Sequence, residues 1–147
     1  MSNLIETKEC ISQEEKHEVW QILNLVYDEI TIPNYEEYKE KVCKYAQIVK
    51  AVYNDTIVGF VAFYANNLET KQAYITQIAV LKDYQKMHIG SELLNTCLKI
   101  AKKAGMETCR LEVNNCNVNA ITFYKKKGFT PDGDASKDSK YMLLREI

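Results

Sequence analysis

The sequence predicts a mixed α/β domain: a mostly antiparallel central sheet with one parallel β-α-β crossover, flanked by helices. Three observations carry this. Residues 73–80 and 109–113 are short apolar runs of strand type, and the segment between them repeats its apolar residues at helical spacing from Ile89 onward. A strand, a helix of that length and a second strand return the chain parallel to its first pass. Upstream, β-branched and aromatic runs at 48–53 and 56–65 flank Asn54-Asp55, a pair suited to the tight turn of an antiparallel hairpin.

The elements follow in order. Residues 3–9 form a candidate first strand. Ser12 with Glu15 is a capping-box pattern, and Val19, Ile22, Leu23 and Val26 then recur on one helical face. Pro33-Asn34 breaks that helix and opens a second over 35–46. The hairpin comes next, then the strand at 73–80, buried throughout by composition. Ile89, Leu93, Leu94, Cys97, Ala101 and Ala104 mark one helical face, and Gly105 suits the position just past the helix end. Asn117 caps a helix over 118–127 that Gly128 ends, and 128–132 and 141–147 read as two closing strands. The polar stretch 131–140 is loop-sized. The order is β-α-α-β-β-β-α-β-α-β-β, one domain over residues 1–147, with no repeat and no linker.

Bulk properties narrow the function classes. A chain of 147 residues can bury a core without metal or disulfide staples. Net charge is −1 and the pI about 6.1, so there is no broad basic footprint for nucleic acid. The longest apolar stretch, residues 57–65, is too short for a bilayer, so no membrane partner is expected. The first ten residues lack the basic and apolar regions of a signal peptide. Five cysteines, an odd number without a C-x-x-C pair, suggest reduced thiols and a cytoplasmic location.

The chemistry-bearing stretch is VLKDYQKMHIGSELL, residues 80–94: a strand end, a polar loop and a helix start. Helix N-termini carry unpaired N–H groups and partial positive charge, which attract phosphate. Main-chain donors between Gln85 and Gly90 could cradle a pyrophosphate, with Lys86 adding charge and Gly90 allowing close approach. The spacing is neither a Walker loop nor a dinucleotide fingerprint. Taken alone it fits an ordinary solvated connection equally well.

Two motifs together say more. Gln85, His88 and Gly90 resemble the Q/R-x-x-G-x-G/A pyrophosphate loop of the GNAT superfamily, the acetyl-CoA-dependent N-acetyltransferases. NVNAITFYKKKGF, with Asn117, Ala120, Tyr124, Gly128 and Phe129, resembles that superfamily's second signature. The element order is also similar over essentially the whole chain. The resemblance implies acetyl-CoA as co-substrate. Ile78, Ala79 and Val80 would run along its pantetheine arm, and an N–H at that strand's bulge would polarise the thioester carbonyl. Main-chain groups of Gln85, Lys86, Met87, His88, Ile89, Gly90 and Ser91 would hold the pyrophosphate. Asn117 would contact the cofactor, and Tyr124 would stand near the departing sulfur, able to give it a proton. Tyr27, Tyr35, Tyr64 and Tyr74 would line the acceptor pocket.

His88 departs from the pattern. If the loop needs a positive φ there, histidine accepts it at a cost, and its ring would crowd the phosphates, donate to them, or face solvent over an intact backbone loop. The base is the second open point. In some families of the superfamily it lies at the positions of Tyr74 and Thr76, and neither is a plausible base. Glu112, five residues before Asn117, is placed as in the ribosomal-protein alanine N-acetyltransferases, so it would accept the proton directly or order a water that does. Cys116 lacks a histidine partner, since the chain holds only His17 and His88, which argues for direct transfer without an acetyl-enzyme. No His/Cys/Asp spacing suggests a metal. Lys99, Lys102 and Lys103, and Lys125 to Lys127, read as solvated faces near helix ends. The acceptor is expected to be a small amine, with a protein N-terminus or lysine as the alternative. A non-catalytic acyl-CoA-binding regulatory module is the reading of another class, and a homodimer is left open.

Overall fold

The computed structural model describes residues 5–26 and 32–147. Its elements are β1 (Glu6–Glu9), α1 (Gln13–Glu18), α2 (Gln21–Val26), α3 (Tyr35–Tyr45), β2 (Gln47–Tyr53), β3 (Thr56–Tyr64), β4 (Gln72–Val80), α4 (Ile89–Lys103), β5 (Thr108–Asn114), α5 (Val118–Lys126), β6 (Thr130–Asp134) and β7 (Ser139–Leu144). The strands form one sheet in the order β1-β2-β3-β4-β5-β7-β6. Among the described residues β4–β5 is the parallel pair and the other neighbours run antiparallel, as the sequence predicts. Helices α4 and α5 pack on one face over Val61, Phe63, Ile75 and Leu111. Helices α2 and α3, with Val19 and Trp20 of the turn after α1, pack on the other, over Ile48, Phe60 and Ala62.

Local signals account for most boundaries. Ser12 Oγ accepts from the Glu15 N–H while the Glu15 carboxylate accepts from the Ser12 N–H, completing the capping box. Asn54 and Asp55 both have positive φ, 50° and 62°, which gives the hairpin turn the twist its strands need. Gly105 at φ 95° and Gly128 at φ 96° close α4 and α5.

Three expectations need correction. The helix predicted through Val26 breaks after Glu18. Trp20, Ile22 and Leu23 each bond three residues back, to His17, Val19 and Trp20, and this tightened turn buries the adjacent Val19 and Trp20 together. Ala104 is exposed rather than on the apolar face, because the helix ends at Lys103 and the chain turns away at Gly105. Residues 131–134 lie in β6 rather than in a loop, leaving only a short connection to β7.

One irregularity shapes the sheet's centre. Ala62 pairs with Gln77 and Phe63 with Ile75, so Thr76 is an extra, unpaired residue in β4. The bulge reverses the strand's facing. Ala73 and Ile75 point to the α4/α5 side before it, whereas Ile78 and Val80 do so after it and Ala79 turns to the α1–α3 side. Pairing of β4 with β5 covers only Gln72–Ile75 against Thr108–Leu111, then stops. Beyond that point β4 and β5 are no longer partners, and a cleft opens at the sheet's centre.

Candidate active site

The cleft's β4 side is a free strand edge. The Leu81 N–H donates to Val58 O at 2.8 Å, towards β3. Strand alternation therefore aims the N–H groups of Ile78 and Val80 at the open side and that of Ala79 at β3. Gln85 Nε2 donates to Val80 O at 3.1 Å, so this glutamine braces the strand end against the loop.

The loop after β4 is a tight 3-10 turn over Lys82–Tyr84. The Gln85 N–H donates to Lys82 O (3.4 Å) and the Met87 N–H to Tyr84 O (3.2 Å), so two main-chain donors of the 85–91 stretch are already committed. The donor set is narrower than the sequence suggests and centres on the first turn of α4. There Ile89, Gly90 and Ser91 precede the first helical bond, from the Glu92 N–H to His88 O. His88 sits at φ 60°, ψ 23°, in the left-handed region, as the residue before that turn. Its side chain is exposed and makes no cap bond. The backbone path that glycine would favour is thus kept, with an imidazole attached to it. Facing α5, a cavity of about 420 Å³ runs between His88 and Ser91 on one wall and Asn119, Thr122, Phe123, Lys126 and Lys127 on the other. A Cβ on Gly90 would reach 3.6 Å from the Phe123 ring, narrowing this passage.

On α5, Asn117 Oδ1 accepts from the Ala120 N–H at 3.1 Å, so its carboxamide oxygen serves the helix cap. Tyr124 is 6% exposed and turned into the α4/α5 core, edge-on to Phe123 and Phe129. The buried Phe129 ring and the half-buried Phe123 ring hold the phenol in one place.

The opposite face of the sheet carries a band of polar aromatic residues. Cross-strand register sets Tyr64 beside Tyr74, Tyr74 beside Arg110, and Glu112 beside Tyr141. Glu112 is the first β5 residue past the last β4–β5 pair, at the cleft's mouth. Ser139 Oγ donates to Glu112 Oε2 at 2.6 Å and lies 2.9 Å from Ser136 Oγ, which fixes one carboxylate oxygen. The Arg110 guanidinium lies 3.8 Å above the Tyr141 ring, with Nε 3.3 Å from Asp132 Oδ2, so its charge is spent within the band. Burial, and then the Glu112 charge, push the Tyr74 phenol up to about 12. It stays protonated at neutral pH, in keeping with its rejection as a base. Tyr35 lies further out on α3, edge-on to Trp20, with Lys39 over its ring. Tyr27 lies outside the described residues. The sequence reading missed Tyr38, whose hydroxyl bonds Thr76 at the bulge. Its one available signal was the i, i+3 spacing that puts it on the same face of α3 as Tyr35.

A free edge beyond a bulged strand, followed by a helix N-terminus, matches a known family. Residues 11–129 fit the acetyltransferase (GNAT) family. The chain belongs to that family. It is 32% identical to zebrafish (Danio rerio) N-alpha-acetyltransferase 50 over 97 residues, 64% of this chain and 58% of the relative. It is 33% identical over 92 residues to a spermidine N(1)-acetyltransferase of Thermoplasma acidophilum, 60% of this chain and 55% of the relative. The aligned stretch therefore spans little more than half the length of each. Among solved structures, the PaiA N-acetyltransferase of Thermoplasma acidophilum in complex with coenzyme A superposes with a TM-score of 0.76 at 25% identity, covering 99% of both chains.

Other groups on this GNAT chain are quiet. Among the described residues no cluster of three His, Cys, Asp or Glu could hold a metal, and no helix is long and apolar enough to cross a membrane. All five cysteines are free thiols, with Cys116 alone exposed.

Proposed function

We propose that this chain is an acetyl-CoA-dependent N-acetyltransferase that acetylates a primary amine directly, with a small amine as acceptor. The observation that carries the reading is the cleft itself: main-chain donors on one strand edge, a carboxylate at its mouth, and a helix start beside a lysine-flanked cavity. The donor set fits the cofactor. A strand edge suits an amide-bearing arm, and backbone N–H groups with Lys126 and Lys127 suit phosphates. Acetyl-CoA, when bound, supplies an activated acetyl group. The Ile78 N–H would stabilise the charge that develops on the carbonyl oxygen. The N–H groups of Ile89, Gly90 and Ser91 would hold the pyrophosphate. Tyr124 Oη would give a proton to the departing sulfur, and Glu112, steadied by Ser139, would take one from the amine.

Glu112 beside the half-buried Tyr74 and Tyr141 favours a cationic amine, and the likeness to a spermidine acetyltransferase supports a small one. The likeness to N-alpha-acetyltransferase 50 supports a protein N-terminus as the second reading. A silent acyl-CoA-binding module rested on His88, and the preserved loop backbone removes that support.

The deciding experiment is thiol release from acetyl-CoA against a panel of polyamines, amino sugars, amino acids and peptides. Turnover of small amines is expected, and faster turnover of free peptide N-termini would move the acceptor to the second reading. Tight binding without turnover on the whole panel would end the enzyme reading. Glu112→Gln is expected to slow turnover most at low pH and to recover partly as pH rises, because the amine then loses its proton unaided. An unchanged pH–rate profile would make Glu112 a structural strand residue.

A further inference from the structure

We infer that Tyr38 is a positioning residue for acetyl transfer, acting by clamping the β4 bulge at Thr76 that aims the strand's free N–H groups into the cleft. The inference rests on the transferase reading above.

A bulge leaves one residue without ladder partners, and Thr76 is that residue. Its carbonyl lies 3.1 Å, and its Oγ1 2.6 Å, from the Tyr38 hydroxyl. The two hydroxyls carry two protons, and both can be used: the phenol donates to the carbonyl while Thr76 Oγ1–H donates to the phenol oxygen. A side chain from α3 thereby satisfies the group that the sheet cannot. The phenol is itself anchored. Its ring packs edge-on to Trp20 at 5.8 Å, and Trp20 lies against Phe60 of β3. The clamp is therefore tied to the closed, antiparallel side of the sheet while its grip falls on the side that opens.

The consequence follows from strand geometry. Losing the bulge, so that Thr76 took Ala62 as its partner, would slip the rest of the strand by one residue and exchange which N–H groups face β3 and which face the cleft. Ile78, two residues after Thr76, would then turn its donor away. A smaller error matters too, since displacing a reacting group by about 1 Å can cost 100-fold in rate. Tyr38 touches no reacting atom in this scheme.

The test uses Tyr38→Phe, Thr76→Val and the double variant. Phenylalanine keeps the ring packing on Trp20, the chain's one tryptophan, so intrinsic fluorescence and urea unfolding report that the fold survives. In the ligand-free protein, amide exchange over residues 75–79 is expected to rise about 10-fold in Tyr38→Phe, with β2–β3 unchanged. In turnover, kcat is expected to fall roughly 10- to 100-fold, with KM for acetyl-CoA and for the amine within about threefold of wild type. Thr76→Val should do less, because the carbonyl contact stays, and the double variant should be no worse than Tyr38→Phe alone. Unchanged exchange would overturn the clamp. Raised exchange with wild-type kcat would leave the clamp structural and overturn its catalytic role. A raised amine KM at full kcat would make Tyr38 an acceptor contact instead. Should the wild-type protein turn over no amine at all, the transferase reading fails, while the exchange result still decides the clamp.

Discussion

The β2–β3 hairpin and the β4–β5 seam are built from similar apolar strands, yet one is closed along its length and the other opens midway. β2 pairs with β3 from Gln47–Phe63 to Tyr53–Thr56, whereas β4 leaves β5 after Ile75–Leu111. The closed part is sealed by fit. A Cβ on Gly59 would stand 2.8 Å from Ala79 O and 3.2 Å from Leu93 Cδ1, so only glycine lets β3, β4 and α4 meet there. The open part begins at Thr76, the extra residue of β4 that follows its last pair with β5. The difference teaches where each task sits: packing is gathered where the strands stay paired, even across the bulge at Val58 of β3, and main-chain donors are left open where they part.

The sharpest way to break this division is to weaken the closed side. Leu93→Ala removes a fully buried side chain between α4 and Gly59, and should cost about 2–5 kcal/mol by loss of burial and the cavity left behind. Urea unfolding measures it. A loss below about 1 kcal/mol would mean that the core relaxes around the gap and the closed side is less tightly packed than its contacts imply.

The open side should answer in the opposite currency. Tyr124→Phe keeps both edge-on ring contacts and removes only the hydroxyl. Turnover should fall roughly 10- to 1,000-fold with acetyl-CoA affinity nearly unchanged, the signature of a proton delivered in the rate-limiting chemistry. Wild-type turnover, with chemistry shown to limit the rate, would remove Tyr124 from the mechanism.

What could be read from sequence follows the same division between local and distant. The Ser12–Glu15 box, the Asn54-Asp55 turn and the Asn117 cap depend on residues within three or four positions of one another, and each appears where its pattern puts it. The signature around Asn117 to Phe129 is equally local. The clamp of Tyr38 on Thr76, the Ser139 bond to Glu112 and the Arg110–Asp132 pair join residues far apart in the chain; packing of α3 on the sheet brings the first together and strand register the other two. The family resemblance implied a bulge in this strand, but its position at Thr76 was hidden for a different reason. A strand apolar on both faces, as 73–80 is, shows no alternation whose reversal could betray an extra residue. The helix break at Val19 was hidden because Val19, Ile22, Leu23 and Val26 keep helical phase from the turn onward, and no glycine or proline marks the break.

A third, smaller effect lies in the core behind the seam. Burial pushes the Cys97 thiol of α4 well above its ordinary value of 9.0, with Cys109 of β5 adding to the shift, and raises Cys109 itself to about 12. Both raised values mean that the folded protein holds these protons more tightly than the unfolded chain. Their contribution is complete below pH 9 and is lost as pH climbs from there towards the folded values. Each thiol should remove about 1.4 kcal/mol of stability per pH unit in that window. Unfolding at pH 8 and pH 10.5 measures the loss, and Cys97→Ala should flatten it while lowering both values through lost packing. An equal slope in the variant would assign the alkaline loss to other groups.

The smallest effect belongs to His88, where the open side meets the loop. The left-handed conformation at φ 60° costs a non-glycine residue about 1–2 kcal/mol. Glycine would relieve that strain, but it adds freedom to the unfolded chain that offsets about 0.5–1 kcal/mol of the gain. His88→Gly should therefore change stability by less than about 1 kcal/mol, in the stabilising direction. The first-turn donors of α4 stay in place, so turnover should persist. The imidazole lines the cavity with Lys126 and Lys127, and if it contributes to phosphate binding its removal should weaken acetyl-CoA only a few-fold. Urea unfolding reads the first effect and calorimetric titration of coenzyme A the second. Equal affinity of wild type and variant would leave the side chain a bystander over an intact backbone. A loss of turnover near a thousandfold would instead be of catalytic size, and would place the imidazole among the reacting groups at the head of α4.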